Sequence, residues 1–276
     1  MKTTIKTLIV TGATLAAVLT LQTSALAQTL ATEDFSGDTL GSTISGGTGG
    51  TGWSGAWGTT SDSFGYLHTV RGSADAPLSY PGYAAVGGNY LNFAGGFGGP
   101  AYMQVERAVS TSSFSAYESG GTVSAPGTTL WGSFAYRNDN GTAAVFFGGN
   151  DVGGSNYLNL PGSGGGVNLA LFSVNYGAGN ADTVNLWIDP SLSGSFTGTT
   201  SDASFSGSVA GNFSFTTYGF ALNGDTYQTA IDNVLLGTSS AAVNVPISAP
   251  EPSSMALLAM GAIGLFMMLR RREHTV

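Results

Sequence analysis

Between residues 28 and 249 the chain never sustains apolar residues at i, i+3, i+4 and i+7, and glycine interrupts it every few positions. Forty of its 43 glycines fall in this stretch. A helix cannot be built on such a pattern, because each interior glycine costs about 1 kcal/mol relative to alanine and no continuous apolar stripe remains to be buried. Short runs of aromatic and β-branched residues recur between the glycines, at 129–136, 169–174 and 184–188. These have the length and composition of strands. In the last run Val184, Leu186 and Ile188 share one face at period two, so Trp187 takes the other. Asn138-Asp139-Asn140-Gly141, between Tyr136 and Val145, is a hairpin turn signal. Many short strands joined by glycine turns, without alternating helices, predict an all-β antiparallel sandwich or barrel. The glycine-rich stretches 41–58 and 162–166 are expected to be loops of that domain, the first anchored by Trp53 and Trp57.

Charge and composition exclude several functions. The chain has no cysteine and two histidines, which removes disulfide scaffolds, thiol nucleophiles and Cys/His zinc sites. Residues 28–249 carry three arginines, no lysine and fourteen acids, a net charge of −11. Nucleic acid is therefore not an expected partner, since phosphate binding requires basic patches.

The two ends are of a different kind. Lys2 and Lys6 precede an apolar run from Leu8 to Leu21 and then Ala25-Leu26-Ala27, the layout of an export signal cut by signal peptidase between Ala27 and Gln28. Ser253 to Leu269 is uncharged for 17 residues and is followed by Arg270-Arg271-Arg272. As a helix it would span about 26 Å, within the range for a membrane crossing, with the arginines held on the cytoplasmic side. Pro250-Glu251-Pro252 stands immediately before it. This order of Pro-Glu-Pro, apolar helix and arginine cluster resembles the PEP-CTERM sorting signal. The resemblance implies recognition by an exosortase and an inner-membrane-anchored intermediate. It also implies delivery to the cell surface or exopolysaccharide matrix of a Gram-negative bacterium. The expected division is a signal peptide at 1–27, one β-domain at 28–238, a linker at 239–249 containing Pro246, and the sorting tail at 250–276.

Within the domain, several pieces occur in order: Glu33-Asp34-Phe35, the stretch from Gly49 to Trp57, Leu78-Ser79-Tyr80-Pro81-Gly82, Leu130 to Phe134, Val184 to Pro190, and Ala230 to Gly237. Together they resemble the laminin G or concanavalin-like jelly-roll class. What the resemblance implies is a two-sheet jelly roll whose first and last strands pair.

Catalytic motifs are absent or incomplete. Gly47 to Gly52 matches a dinucleotide fingerprint in letters only, lacking a buried strand before it and a helix after it. His68 is the sole histidine of the domain and no G-x-S-x-G elbow accompanies it. Glycosidases of the jelly-roll class place carboxylates at alternate positions of one strand, yet Glu33, Glu106 and Glu118 are the only glutamates of the domain and none begins such a pattern. Asn138-Asp139-Asn140-Gly141 opens like a calcium loop but has Gly149 where the bidentate acid belongs. A calcium ion held by Asp34, Asp232 or Asn233 where the end strands meet remains an expectation, with no cofactor otherwise. Trp187 with Asn185 and Asp189 on the same side of one strand forms the candidate carbohydrate surface, provided that face is open. The leading functional expectation is a non-catalytic structural or interaction role at the surface. A carbohydrate-binding module comes second and an atypical glycoside hydrolase third.

Overall fold

The computed structural model describes residues 27–59, 67–72, 78–83, 89–94, 101–138, 142–148, 157–193, 196–224 and 228–243. The signal segment and the sorting tail lie outside the described residues, apart from Ala27. Among those described, no helix is long and apolar enough to cross a membrane.

The strands are β1 Thr29–Glu33, β2 Gly58–Thr59, β3 Leu67–Gly72, β4 Asn89–Ala94, β5 Ala101–Ala108, β6 Glu118–Ser119, β7 Thr122–Val123 and β8 Thr129–Asn138. They continue as β9 Thr142–Gly148, β10 Tyr157–Leu160, β11 Asn168–Asn175, β12 Asp182–Ile188, β13 Phe205–Gly211, β14 Thr217–Gly224 and β15 Gln228–Gly237. The larger sheet runs β13-β12-β11-β8-β15-β4-β3, and β1 joins it on β15. The smaller runs β10-β9-β14-β5-β2, and β6 and β7 form a separate hairpin. Every pairing is antiparallel, as the sequence predicts. The first and last strands do pair, with Glu33 opposite Val234.

Alternation along the strands generates the core. Leu130, Phe134 and Tyr136 of β8, Phe172 and Val174 of β11, and Val184 and Leu186 of β12 face Val145 and Phe147 of β9 and Tyr218 and Phe220 of β14. Rings from the two sheets interlock edge to face, Phe134 on Phe220 at 5.2 Å and Phe147 on Phe172 at 5.6 Å. Gly132 gives this layer its room: a Cβ there would lie 2.1 Å from the Phe172 ring. The other face of the large sheet carries a second apolar cluster of Leu169, Leu171, Trp187, Phe196, Tyr83 and Val243. The large sheet is therefore buried on both faces along its central strands, as at β11 and β12.

Two expectations change. The turn at 138–141 does not close a hairpin, because β8 is already paired on both sides by β11 and β15 while β9 pairs with β10 and β14. The chain instead passes there from one sheet to the other; Asp139, Asn140 and Gly141 lie outside the described residues. A turn motif encodes reversal of direction, not the partner of the strand that follows. The domain also continues past residue 238. Ala242 and Val243 are buried, Ser133 Oγ donates to Val243 O at 2.7 Å, and Thr29 Oγ1 donates to Ala242 O at 2.8 Å.

Replacing Gly132 by Ala is expected to lower stability by about 2 kcal/mol or more, since the added methyl overpacks a filled layer. Gly207→Ala, where nothing lies within 4 Å of the added carbon, is the control and should shift stability by less than about 0.5 kcal/mol. Thermal unfolding of both variants checks this.

Candidate functional site

The glycine-rich loop after β1 is organised around one buried ion pair. Arg107 in β5 reaches Glu33 at the end of β1, Nη1 to Oε2 at 2.7 Å, with side-chain exposures of 4% and 0%. Glu33 also accepts from Trp57 Nε1 at 3.0 Å and from the Phe35 amide at 2.9 Å. Arg107 donates further to the carbonyls of Gly55 and Gly49, and its guanidinium lies 5.7 Å from the centre of the Trp53 ring. Trp53 Nε1 donates to Thr32 O at 2.8 Å. Both tryptophans thus anchor the loop, as expected of them. The loop must hug β1 to do so: Gly50 and Gly52 have φ of +72° and +80°, and a Cβ on either would lie within about 2.1 Å of a β1 carbonyl oxygen. The letters of a nucleotide fingerprint at 47–52 serve this packing. Burial pushes the Glu33 carboxyl up and the Arg107 guanidinium down, each opposed by the charge of the other.

This pair was not legible in the sequence. Glu106 and Arg107 are neighbours and point oppositely, whereas the partner of Arg107 is 74 residues away. The available signal was scarcity, with three arginines in a strongly acidic domain, but scarcity does not name a partner.

Beside the end of β1, the ladder of β15 with β8 slips between Asp232 and Leu235, and Asn233 takes a left-handed φ of +53°. Asp232 is buried there, and its Oδ1 accepts the Asn233 amide at 2.7 Å. Burial pushes its carboxyl up to about 8, and the charges of Asp34 and Glu33 push the same way. Asp34 is half-buried, with Oδ1 accepting from the amide and hydroxyl of Ser36. The three residues expected to hold calcium are therefore at one end of the sandwich. Among the described residues, however, no group of three or more His, Cys, Asp or Glu side chains converges as a metal site would.

The candidate sugar residues are arranged differently from the expectation. Trp187 does take the face opposite Val184 and Leu186, but that face is covered: Trp187 is 1% exposed, stacks on Trp131 at 5.7 Å, meets Phe196 edge-on at 5.6 Å, and donates Nε1 to Thr199 O at 3.0 Å. No ring face is left for a ligand. Alternation fixes the side of a residue, while the loop that folds over that side comes from residues 196–204. Asn185 is half-buried beneath the same face. Asp189 alone is exposed, at φ +52°, with Oδ1 accepting the Leu169 amide at 2.8 Å.

Asp189 borders an open cleft of about 400 Å³ formed with Tyr80, Pro81, Gly82, Ser191, Leu192 and Ser193. The Tyr80 hydroxyl hydrogen-bonds to the Asp189 carboxylate, and burial together with that charge pushes the phenol up. The cleft combines a half-exposed aromatic ring, a carboxylate and two serine hydroxyls above the buried Trp187 cluster. Tyr80 and Pro81 entered the sequence reading only through their place in the jelly-roll pattern. His68 lies in β3, away from this group in the chain.

Residues 248–272 match the PEP-CTERM protein-sorting motif. The motif marks the chain as an exported, membrane-transiting substrate of an exosortase. No curated protein matches the chain. Among solved structures it is similar to an endo-β-1,4-glucuronan lyase from the fungus Trichoderma reesei, at 14% identity over 57% of this chain and 84% of that one, with a TM-score of 0.32. It is also similar to a protein of unknown function from Shewanella oneidensis MR-1, at 11% identity over 80% and 92% of the two chains and a TM-score of 0.33. Likenesses at this level carry no argument about activity.

The Asp232 carboxyl is held near 8 in the fold against an ordinary value of 3.8, so the folded state keeps a proton that the unfolded chain releases. Its contribution to stability is then full below about pH 4 and is lost as the pH rises to about 8. Asp232→Asn, which keeps the acceptor for the Asn233 amide, should reduce the loss of stability between pH 5 and pH 8 by about 1 kcal/mol or more. Denaturant unfolding at the two pH values measures it, and equal losses in both proteins would refute it.

Proposed function

We propose that this protein is a non-catalytic structural or interaction component of the cell surface or exopolysaccharide matrix of a Gram-negative bacterium. The match of residues 248–272 to the sorting motif carries this reading, since it supplies an exosortase address. The uncharged run from Ser253 to Leu269 would hold the intermediate in the inner membrane, with Arg270, Arg271 and Arg272 inside and Pro250-Glu251-Pro252 at the outer boundary. Signal peptidase would act between Ala27 and Gln28, one residue before β1 begins. The jelly-roll assignment belongs to the proposal, supported by two facing antiparallel sheets and by the pairing of β1 with β15. The non-catalytic role is supported by the use made of the glutamates. Glu33 is bound to Arg107, Glu106 accepts the Thr217 hydroxyl at 2.8 Å, and Glu118 lies in the β6–β7 hairpin.

Mass spectrometry of surface material from the producing cells should recover peptides of the β-domain and a C-terminus near Pro252, with none from 255–272. Intact tail peptides in that material would reduce the signal to a plain membrane anchor.

The cleft at Tyr80 and Asp189 favours a second reading, binding of extracellular polysaccharide. A phenol ring offers a stacking plane and the adjacent carboxylate and hydroxyls accept hydrogen bonds from sugar hydroxyls. With a domain charge of −11 and a carboxylate in the cleft, the matching glycan is neutral. Tyr80→Ala should weaken retention on a neutral glycan by about tenfold, while Tyr80→Phe keeps most of it. A glycan array with the wild-type protein identifies the probe; unchanged retention by Tyr80→Ala would remove the cleft from consideration.

A further inference from the structure

Sheet edges are normally guarded, because a row of unpaired backbone N–H and C=O groups is a template for another strand. Three of the four sheet ends here are short or covered. At β3 the edge is occupied by residues 41 and 42, with Gly41 N donating to Val70 O at 2.8 Å and Val70 N donating to Ser42 O at 3.0 Å. β2 has two residues and β10 has four. The fourth end is β13, a seven-residue strand that pairs with β12 on one side and, among the described residues, with nothing on the other. Ser206, Ser208, Val209 and Ala210 are exposed, and Val209, at 39%, is one of two exposed large apolar residues described. Its guarding is slight: one bulge sets Ser206 out of register at the start of the strand, but residues 203–224 contain no charge and no proline, and the register with β12 is regular from Gly207 to Gly211.

We propose that β13 is a self-association edge, on which a second copy of the chain lays its own β13 antiparallel and joins two large sheets into one. Charge selects the occupant. Two domains of net charge −11 repel each other over most of their surfaces, and an uncharged edge is where they can approach. A basic partner would be drawn instead to the acidic surfaces and gain nothing from a neutral strand. The geometry is self-complementary as well. Outward-pointing backbone groups belong to alternate residues, so an antiparallel self-pair sets residues of equal parity opposite one another and places one residue on the two-fold axis. A seven-residue pairing buries less than a stable interface requires, so association is weak in dilute solution and becomes effective where copies are crowded on a surface. The inference rests on the edge alone and holds whether or not the domain binds glycan.

The absence of cysteine in the chain provides the test. Cysteines are introduced in the full-length exported chain singly as Ser206→Cys, Ser208→Cys and Ala210→Cys, and pairwise as Ser206→Cys with Ser208→Cys and Ser208→Cys with Ala210→Cys to cover registers centred on Gly207 or Val209, with the exposed Ser119→Cys of the β6–β7 hairpin as reference. Membrane and surface fractions are treated with mild oxidant and run without reductant. Residues facing each other across an antiparallel pair lie about 4.5–5.5 Å apart, within disulfide reach, so at least one strand variant should give a disulfide-linked dimer about tenfold more abundant than the reference. Adding Val209→Glu to that variant sets like charges across the pair and should abolish the dimer while leaving the thermal transition in place. Dimer yields in all the strand variants no higher than at Ser119→Cys, cross-links to a different protein only, or a dimer unaffected by Val209→Glu would each overturn the proposal.

Discussion

The pair between Glu33 and Arg107 is the contact on which the other arrangements at this end of the domain depend. It ties the first strand of the larger sheet to β5 of the smaller, and it fixes the path of the glycine-rich loop through Gly49, Gly55, Trp53 and Trp57. A buried ion pair is not in itself a large source of stability, because desolvating two charges offsets most of their attraction. Its force is conditional. With both charges in place Glu33 accepts from Arg107, Trp57 and the Phe35 amide and Arg107 donates to Glu33, Gly49 and Gly55, and with one missing the other is left buried and unpaired at a cost of about 3–5 kcal/mol. That asymmetry makes the loop conformation specific even though its sequence is nearly featureless.

The rest of the fold is held by aromatic packing between the sheets. Phe134, Phe147, Phe172, Tyr218 and Phe220 meet largely edge to face, an arrangement that places the positive edge of one ring on the negative face of another. Such rings need space opposite them, which Gly132 supplies below Phe172. Glycine therefore has two physical roles here, left-handed turns in the loop and missing volume in the sheet. The high glycine content is compatible with a dense core for this reason.

Burial of β11 and β12 on both faces changes what the outer side of the large sheet can do. Residues 196–204 fold over Trp187 and convert a potential binding face into a second core, displacing the accessible polar groups to the rim at Tyr80 and Asp189. The same covering leaves β13 at the margin, where its inner edge is paired and its outer edge is not.

The sequence by itself determined the β class, the antiparallel tendency, the loops at 41–58 and 162–166, and the sorting tail, because each is written in local composition or in a short ordered motif. Period-two alternation also placed Val184 and Leu186 inward and Trp187 on the opposite side. What only the tertiary structure decided were relations between distant residues: that Arg107 meets Glu33, that the turn after Asn138 changes sheets, that Val243 packs back onto the domain, and that Trp187 is covered. Local propensity sets the direction of a side chain and the reversal of a chain. Which strand arrives next to it, and whether a loop closes over it, depends on packing summed over the whole core, and no short stretch of sequence carries that sum.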